Sequence, residues 1–298
     1  MGYYEDEFRI FAAKKPPGRV FMSNRSTVHA HTNLVDGRSS AEVMAQIAFE
    51  KGFVSMGFTE HAPQDIPGHW EMKEELRPVY IAQVRKVAKE YEGRMRIHLG
   101  IERDALAHED RSLYDYVLGS NHYLYEDGQV CAADGDPTAL RVWRDTRYGG
   151  DGGAMVAEFF RLSGKYAEEY RPDVFAHFDL IKKTNKTGDL YNPEDPRVID
   201  AGFQALEQIL ASGALLEVNT GGMARSGQPR PYPDPVYLKR WHEMGGRVIV
   251  GSDCHLATQI DAGFDMVDEY MRQAGFRTAW RLGSFGEDLF VEYPLDLS

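Results

Sequence analysis

The sequence is poor in cysteine, contains no long hydrophobic run and carries no excess of basic residues. Cys131 and Cys254 are the two cysteines among 298 residues, which is too few for a disulfide framework or a thiolate metal site. We therefore expect a reducing, cytoplasmic location. No stretch is long and apolar enough to span a bilayer, and the start MGYYEDEFRI lacks a basic segment followed by an apolar one. No membrane partner is expected.

The charge balance also limits the class of partner. The formal net charge is −12, with 34 Lys and Arg residues against 46 Asp and Glu residues. A protein that binds the phosphate backbone of nucleic acid needs a clustered excess of positive charge. We therefore expect a small-molecule partner and no nucleic acid, while the oligomeric state stays open. The composition, 43% hydrophobic and 27% charged, is typical of a globular chain with a packed core.

The order of apolar runs predicts the fold. From Ser26 onward, short apolar runs alternate with longer amphipathic ones, a pattern typical of repeated βα units and a parallel sheet. Seven strands, each followed by a helix, can be counted, with one further short strand in FRTAWRLGS. Residues 1–25, which include KKPPG, are expected to form an N-terminal extension. Because no linker divides residues 26–298, we expect one α/β barrel domain there.

Two local predictions accompany this fold. Ser39 and Glu42 have the spacing of a capping box, which predicts that the first helix begins there. Residues 125–153 are rich in Gly and Asp, so we expect an irregular excursion before the helix AMVAEFFRLSGKYAEEY. Long loops at such places are often lids over a functional site.

Every predicted strand but one ends in residues that can bind a metal. A parallel barrel gathers the C-terminal ends of its strands on one face, so these side chains are expected to converge. Six of the ten histidines in the chain lie at such ends. The nine candidate ligands are His29, His31, Asp36, His61, Glu102, His122, His177, Asp253 and His255.

The spacing within two motifs strengthens this interpretation. Alternate residues of a strand point the same way, so His29 and His31 face one point, and Asp253 and His255 repeat that spacing. Each motif alone also fits a structural histidine or a loop-capping aspartate, and Glu102 alone fits a salt bridge; their joint occurrence favours a metal. Imidazole and carboxylate ligands without thiolates suit Zn²⁺, Mn²⁺ or Fe²⁺.

The motifs VHAHT, DGR, TEH, GIERD, SNH, AHFD and GSDCH, in this order, resemble the PHP (polymerase and histidinol phosphatase) family. The resemblance covers about residues 26 to 256. It implies a distorted seven-stranded (β/α) TIM-like barrel with a centre of about three divalent metal ions. One ion would be held by His29, His31, Glu102 and Asp253, a second by Glu102, His122 and His177, and a third by Asp36, His61 and His255.

The resemblance also implies the chemistry. A hydroxide bridging two of the ions would attack a small phosphate monoester, and the substrate expected first is L-histidinol phosphate, an intermediate of histidine biosynthesis. Another small phosphate ester or nucleotide is the alternative, followed by metal-dependent amidohydrolase and nuclease activities. DGR, SNHYL and NTGGMAR are the segments most similar to histidinol-phosphate phosphatases.

Roles for individual side chains follow from this chemistry. Glu102, with two oxygens, would bridge two ions, and the leaving oxygen would receive its proton from Asp253, His255 or a metal-bound water. Arg161 and Arg225 are candidates to grip the phosphate, since a guanidinium is a planar, permanently charged fork. For both arginines the sequence fits a surface ion pair equally well.

Overall fold

A computed structural model describes residues 24–64, 66 and 70–295 of the chain. The predicted N-terminal extension therefore lies outside the described residues except for its last two. The elements of the described part form a mixed α/β fold with eleven strands and eight α-helices. No helix among these residues combines the length and the apolar composition that crossing a bilayer requires.

Nine of the strands form one sheet in the order β1-β2-β3-β4-β7-β8-β9-β10-β11, and β5 and β6 form a separate hairpin. All neighbours in the sheet are parallel except β10 and β11. The strands are β1 Ser26–Thr27, β2 Ser55–Phe58, β3 Arg96–Asp104, β4 Tyr116–Ser120, β5 Tyr123–Glu126, β6 Gln129–Ala132, β7 Val174–Phe175, β8 Leu215–Asn219, β9 Val248–Gly251, β10 Thr278–Leu282 and β11 Phe290–Pro294.

Helices follow the strands as the sequence predicts, except that only the short 3₁₀ turn Arg111–Leu113 follows β3. Each of the seven predicted strands contains one strand of the sheet, and the predicted short strand in FRTAWRLGS is β10. The strand β11 at the sheet edge was not predicted. The helices are α1 Ala41–Glu50, α2 Arg77–Glu90, α3 Pro137–Arg147, α4 Gly152–Tyr170, α5 Pro196–Ser212, α6 Gly221–Ser226, α7 Pro235–Glu243 and α8 Phe264–Gln273.

The chain after β1 also contacts β9 and the residues that follow β9. The backbone N–H of Val28 donates to the carbonyl of Val250 at 3.2 Å, and that of His31 donates to the carbonyl of Cys254 at 2.9 Å. Side chains from five strands of the sheet, and from the residues that follow β1 and β7, pack into one buried cluster: Val28, Tyr116, Leu118, Val174, Ala176, Leu215, Ile249 and Leu282. The sheet is therefore strongly curved, with one face turned inward on an apolar core.

The N-cap of the first helix is one residue later than predicted. The side chain of Ser40, not Ser39, accepts from the backbone N–H of Val43. The Ser39 hydroxyl instead accepts from the backbone N–H of Ala257, which fastens the start of α1 to the chain after β9. This long-range contact explains why the local capping pattern was misleading.

The prediction of an irregular excursion at residues 125–153 is wrong. Most of that stretch forms the hairpin β5–β6 and the helix α3. Asp136 caps α3 by accepting from the N–H of Thr138, and the apolar face of the helix buries Leu140 and Trp143. The Gly and Asp residues that suggested a loop lie in the turns between these elements, so the composition hid a short amphipathic helix.

Candidate metal centre

The chain positions all nine predicted ligands at the C-terminal ends of the parallel strands. Glu102 lies within β3, and the other eight follow β1, β2, β4, β7 and β9 directly or in the adjoining loops. Regular pairing of β1 stops at Thr27. His29 and His31 were predicted to lie on this strand but follow its end. Four groups of ligand atoms lie close enough together to hold metal ions, and between them they include all nine residues.

His29, His31, Glu102 and Asp253 form the most buried group. The Nε2 atoms of His29 and His31 are 2.9 Å apart. Glu102 Oε2 lies 3.3 and 3.4 Å from these two nitrogens, and Asp253 Oδ1 lies 3.7 and 3.5 Å from them. Four donor atoms thus point at one another around a common centre, the arrangement that a tetrahedral ion occupies.

Glu102 connects this group to the next one. Its other oxygen, Oε1, lies 3.0 Å from His177 Nε2 and 3.7 Å from His122 Nε2. One carboxylate therefore faces imidazoles on both sides, as a bridging ligand does. The structure brings together the residues expected around a second ion.

The third group lies nearest the solvent and contains one more imidazole nitrogen than expected. Asp36 Oδ2 is 2.9 Å from His255 Nε2 and 3.7 Å from His61 Nε2. His31 Nδ1 also faces this group, 3.5 Å from Asp36 Oδ1. His31 thus presents its two nitrogens to two different groups, whereas the sequence analysis gave it to one.

Several buried ligand atoms have no hydrogen-bond partner, and this tests whether the residues suit metal ions. The unpartnered atoms include His31 Nδ1, Asp36 Oδ1 and Glu102 Oε2. Buried polar atoms without partners are rare because each costs free energy. Here these atoms face other ligand atoms at short range, and the donor set consists of imidazole nitrogens and carboxylate oxygens. The residues therefore fit divalent metal ions well.

The buried carboxylates and imidazoles shift one another's pKa strongly. Burial alone would raise the pKa of Glu102, but His61 and His29 hold it well below its usual range. Burial would likewise lower the pKa of His29, and Glu217, Asp253 and Glu102 raise it well above the ordinary value. The carboxylates thus stay ionised in the protein interior and attract positive charge to the centre.

Two further carboxylates, Glu217 and Asp104, hold the imidazoles in place, and the sequence analysis identified neither. Glu217 Oε1 lies 2.8 Å from His29 Nδ1, and its Oε2 accepts from the backbone N–H of His177 at 2.9 Å. Asp104 Oδ2 lies 2.7 Å from His122 Nδ1. Such contacts fix the ring orientation and the tautomer, so that Nε2 faces the centre.

Glu60, which precedes His61 in the TEH motif, has a supporting position. Its carboxylate accepts from the backbone N–H of Thr32 at 2.7 Å and lies 3.7 Å from His31 Nδ1. Burial raises the pKa of Glu60 to about 8. The local chain therefore directs His61, not Glu60, toward Glu102.

The backbone around Asp253 is adapted to the centre. Asp253 has a φ of 47°, in the left-handed region that few residues other than glycine adopt. A Cβ atom on Gly221 would lie 2.7 Å from the Cβ of Asp253. A glycine at the start of α6 therefore leaves the space that Asp253 needs.

A cavity of about 240 Å³ opens above the ligands. Arg225, on α6, lines it, donates to Asp253 and lies 3.1 Å from His255 Nε2. Lys183 and Asp134 also line the cavity, and neither was predicted. Arg161 does not line it: on the outer face of α4 its guanidinium is paired with Glu158, three residues earlier in the helix.

The other histidines take no part in the four groups. His98 is bound to the carbonyl of Gly283, and His242 packs against Phe276. His108 joins no group, and His69 lies outside the described residues. Among the described histidines, the sequence analysis therefore separated the clustered ones from the rest.

A family model described as the PHP domain matches residues 27–221, well over half of the chain. The chain belongs to the PHP domain family. It is 28% identical to a probable histidinol-phosphatase of Deinococcus radiodurans, over 86% of this chain and 96% of that protein. It is 25% identical to the histidinol-phosphatase of Bacillus subtilis, over 80% of this chain and 96% of that one.

A solved structure shares the fold of this PHP chain. Histidinol phosphate phosphatase from Lactococcus lactis superposes with a TM-score of 0.62 at 17% identity, over 87% of this chain and 96% of that one. That structure is of a complex with zinc, L-histidinol and phosphate. At 17% identity the likeness concerns the fold alone. The chemistry of the present chain has to be argued from its own residues.

Proposed function

We propose that this protein is a metal-dependent phosphatase that hydrolyses L-histidinol phosphate to L-histidinol and phosphate. The observation that carries the proposal is the convergence of nine imidazole and carboxylate side chains, with unpartnered buried atoms, under a cavity lined by Arg225 and Lys183. The two relatives that match most of the chain at 28% and 25% identity carry the name histidinol-phosphatase. Another small phosphate ester is the alternative substrate.

We further propose that about three divalent ions, with zinc, manganese and iron as candidates, bind to the nine residues in the three groups described above. Bound divalent ions would activate water near neutral pH and neutralise charge on the phosphoryl oxygens. His31 and Glu102 would each serve two groups. The mixed donor set supports ions of borderline hardness.

The side chains around the cavity have separate tasks in this proposal. Arg225 is placed to hold a phosphate oxygen, because its guanidinium lies at the edge of the cluster beside His255. Arg225 and the imidazoles hold the pKa of Asp253 well below its usual range although burial would raise it, which disfavours Asp253 as the proton donor. His255 and a metal-bound water remain as the candidates to protonate the leaving oxygen.

The architecture forms part of the same proposal. We propose that residues 26–298 form one domain whose seven parallel strands β1, β2, β3, β4, β7, β8 and β9 close into a distorted barrel. The hydrogen bond between Val28 and Val250 and the shared apolar cluster support this closure. The proposed cytoplasmic location agrees with two buried cysteines that form no disulfide.

A panel assay tests this function. The purified protein, with its metal content measured, is given L-histidinol phosphate, sugar and nucleotide monophosphates, p-nitrophenyl phosphate, amides and single-stranded DNA. We expect phosphate release that is fastest from L-histidinol phosphate. Cleavage of an amide or of DNA without phosphatase activity would overturn the proposal in favour of an amidohydrolase or a nuclease.

A further inference from the structure

An ion pair in the cavity wall is not accounted for by the metal ligands. Lys183 Nζ lies 2.7 Å from Asp134 Oδ2, and both residues line the cavity above the cluster. The two side chains are 28% and 18% exposed, so both remain accessible from the cavity. Of the four carboxylates that line the cavity, Asp134 is the one outside the nine predicted ligands.

The backbone fixes this pair relative to the centre. The N–H of Ala133 donates to the carbonyl of His122 at 2.7 Å, which joins the chain before Asp134 to a metal-ligand segment. The hydroxyl of Thr184, next to Lys183, donates to the carbonyl of Ala133 at 3.1 Å. The carboxylate and the ammonium are therefore presented by rigid neighbouring segments, as a recognition site requires.

The charges of the pair match those of the proposed substrate. L-histidinol phosphate carries an anionic phosphate and a cationic ammonium group on one short chain. A phosphate bound over the cluster attracts the ammonium of Lys183 away from Asp134. A half-buried carboxylate that loses its partner is destabilised unless another cation replaces it.

This inference rests on the proposed function. We propose that Asp134 is a specificity-determining residue that accepts a hydrogen bond from the substrate's ammonium group, while Lys183 turns from Asp134 to the phosphate. The substrate then exchanges one internal ion pair for two ion pairs with the wall. A phosphate ester without an amine leaves Asp134 unpaired or keeps Lys183 from the phosphate, and in either case it binds less well.

The test compares two esters that differ in the amine. The metal-loaded full chain and its Asp134→Asn variant are assayed with L-histidinol phosphate and with its deaminated analogue, 3-(imidazol-4-yl)propyl phosphate. We expect kcat/KM for the amine-bearing ester to fall about tenfold to a hundredfold in the variant, the effect of losing one charged hydrogen bond. The analogue should be affected much less, so that the preference for the amine disappears.

Asp127→Asn is the matched control. Asp127 lies in the turn of the same hairpin, is 85% exposed on its side chain and does not line the cavity. This variant should behave like the parent with both esters. Calorimetric titration of L-histidinol and the deaminated alcohol into Asp134→Asn and the parent, with inorganic phosphate present to engage Lys183, supplies a second readout, in which only L-histidinol binding should weaken.

Each other outcome has a definite meaning. Equal losses on both esters would overturn the inference and make the ion pair a structural contact. An unchanged preference for the amine would overturn it as well. Failure of the metal-loaded parent to hydrolyse either ester would overturn the proposed function and this inference with it, and so would be distinguishable from a failure of the inference alone.

Discussion

Glu102 shows at the scale of one residue why the candidate centre suits cations. Its two oxygens lie between 3.0 and 3.7 Å from nitrogen atoms of five histidines. A carboxylate can accept about four hydrogen bonds, and protonation of all five rings would place like charges side by side in a buried site. Divalent ions bound between the oxygens and the nitrogens would satisfy both sets of lone pairs.

Glu217→Gln is expected to weaken metal binding although it replaces none of the nine candidate ligands. An amide can accept at only one of its two atoms, so it conflicts either with the N–H groups of His177 and Asn219 or with the N–H of His29 Nδ1. The second conflict favours the His29 tautomer whose Nε2 carries the proton and cannot bind metal. We predict that metal affinity falls about tenfold to a hundredfold.

Metal content after dialysis against a series of free metal concentrations measures this change directly. Glu207→Gln is the control, because Glu207 lies on α5 with an exposed ion pair to Arg240. Unchanged metal affinity in a folded Glu217→Gln protein would show that Glu217 does not position His29.

The sequence indicated the clustered candidate ligands more readily than the residues that hold them in place. His29 and His31 could be predicted because alternation along an extended chain and the convergence of strand ends are local and architectural rules. Glu217, in the middle of β8, has no such pattern, and only the packing of β8 beside His29 and His177 identifies it. Lys183 and Asp134 meet through the hairpin, which the sequence analysis took for irregular chain.

At the scale of elements, the short helix α6 determines part of the site. It begins at Gly221, directly after β8, and carries Arg225 to the cavity. The sequence of this segment does not suggest a helix, since GGMARSG contains three glycines in seven residues. The close approach of Gly221 to Asp253 explains the glycine at the start of the helix.

Gly221→Ala is therefore expected to displace Asp253. The added methyl group would lie 2.7 Å from the Cβ of Asp253, a distance that forces one of the two segments to move. A shift of about 1 Å in a catalytic group can reduce kcat/KM about a hundredfold, and we predict a loss of that order with reduced metal content.

Ala224→Gly, in the same helix, provides the comparison. It weakens the helix by about 1 kcal/mol without approaching Asp253, so thermal stability should fall while metal content is retained. If both variants lost metal equally, helix stability and not the clash with Asp253 would explain the effect.

At the scale of the whole molecule, the centre joins distant parts of the chain. The nine candidate ligands follow or lie on strands from β1 to β9, so bound ions would connect segments that are far apart in the chain. The alternation of strands and helices along the chain could be predicted, because each element has its own local periodicity. The edge strand β11 and the curvature of the sheet depend on long-range pairing, which periodicity does not encode.

Removal of metal should therefore destabilise the entire fold. A ligand at a free concentration one hundred times its Kd stabilises the folded state by about 2.7 kcal/mol, and several ions add to this effect. We predict that Tm falls by several degrees when EDTA has stripped the metal and dialysis has removed the EDTA. Added Zn²⁺ or Mn²⁺ should restore the original Tm. Equal Tm values for the treated, restored and untreated protein would contradict a centre that ties the strands together.

The location of the ions tests the central claim most directly. Anomalous diffraction from crystals of the metal-loaded protein, recorded on both sides of the metal absorption edge, would show each ion without reference to activity. The account predicts about three peaks among the nine side chains, with one peak between His29, His31, Glu102 and Asp253 and another bounded by Asp36, His61 and His255. Loaded crystals without peaks among these residues, or with peaks only elsewhere on the molecule, would contradict it.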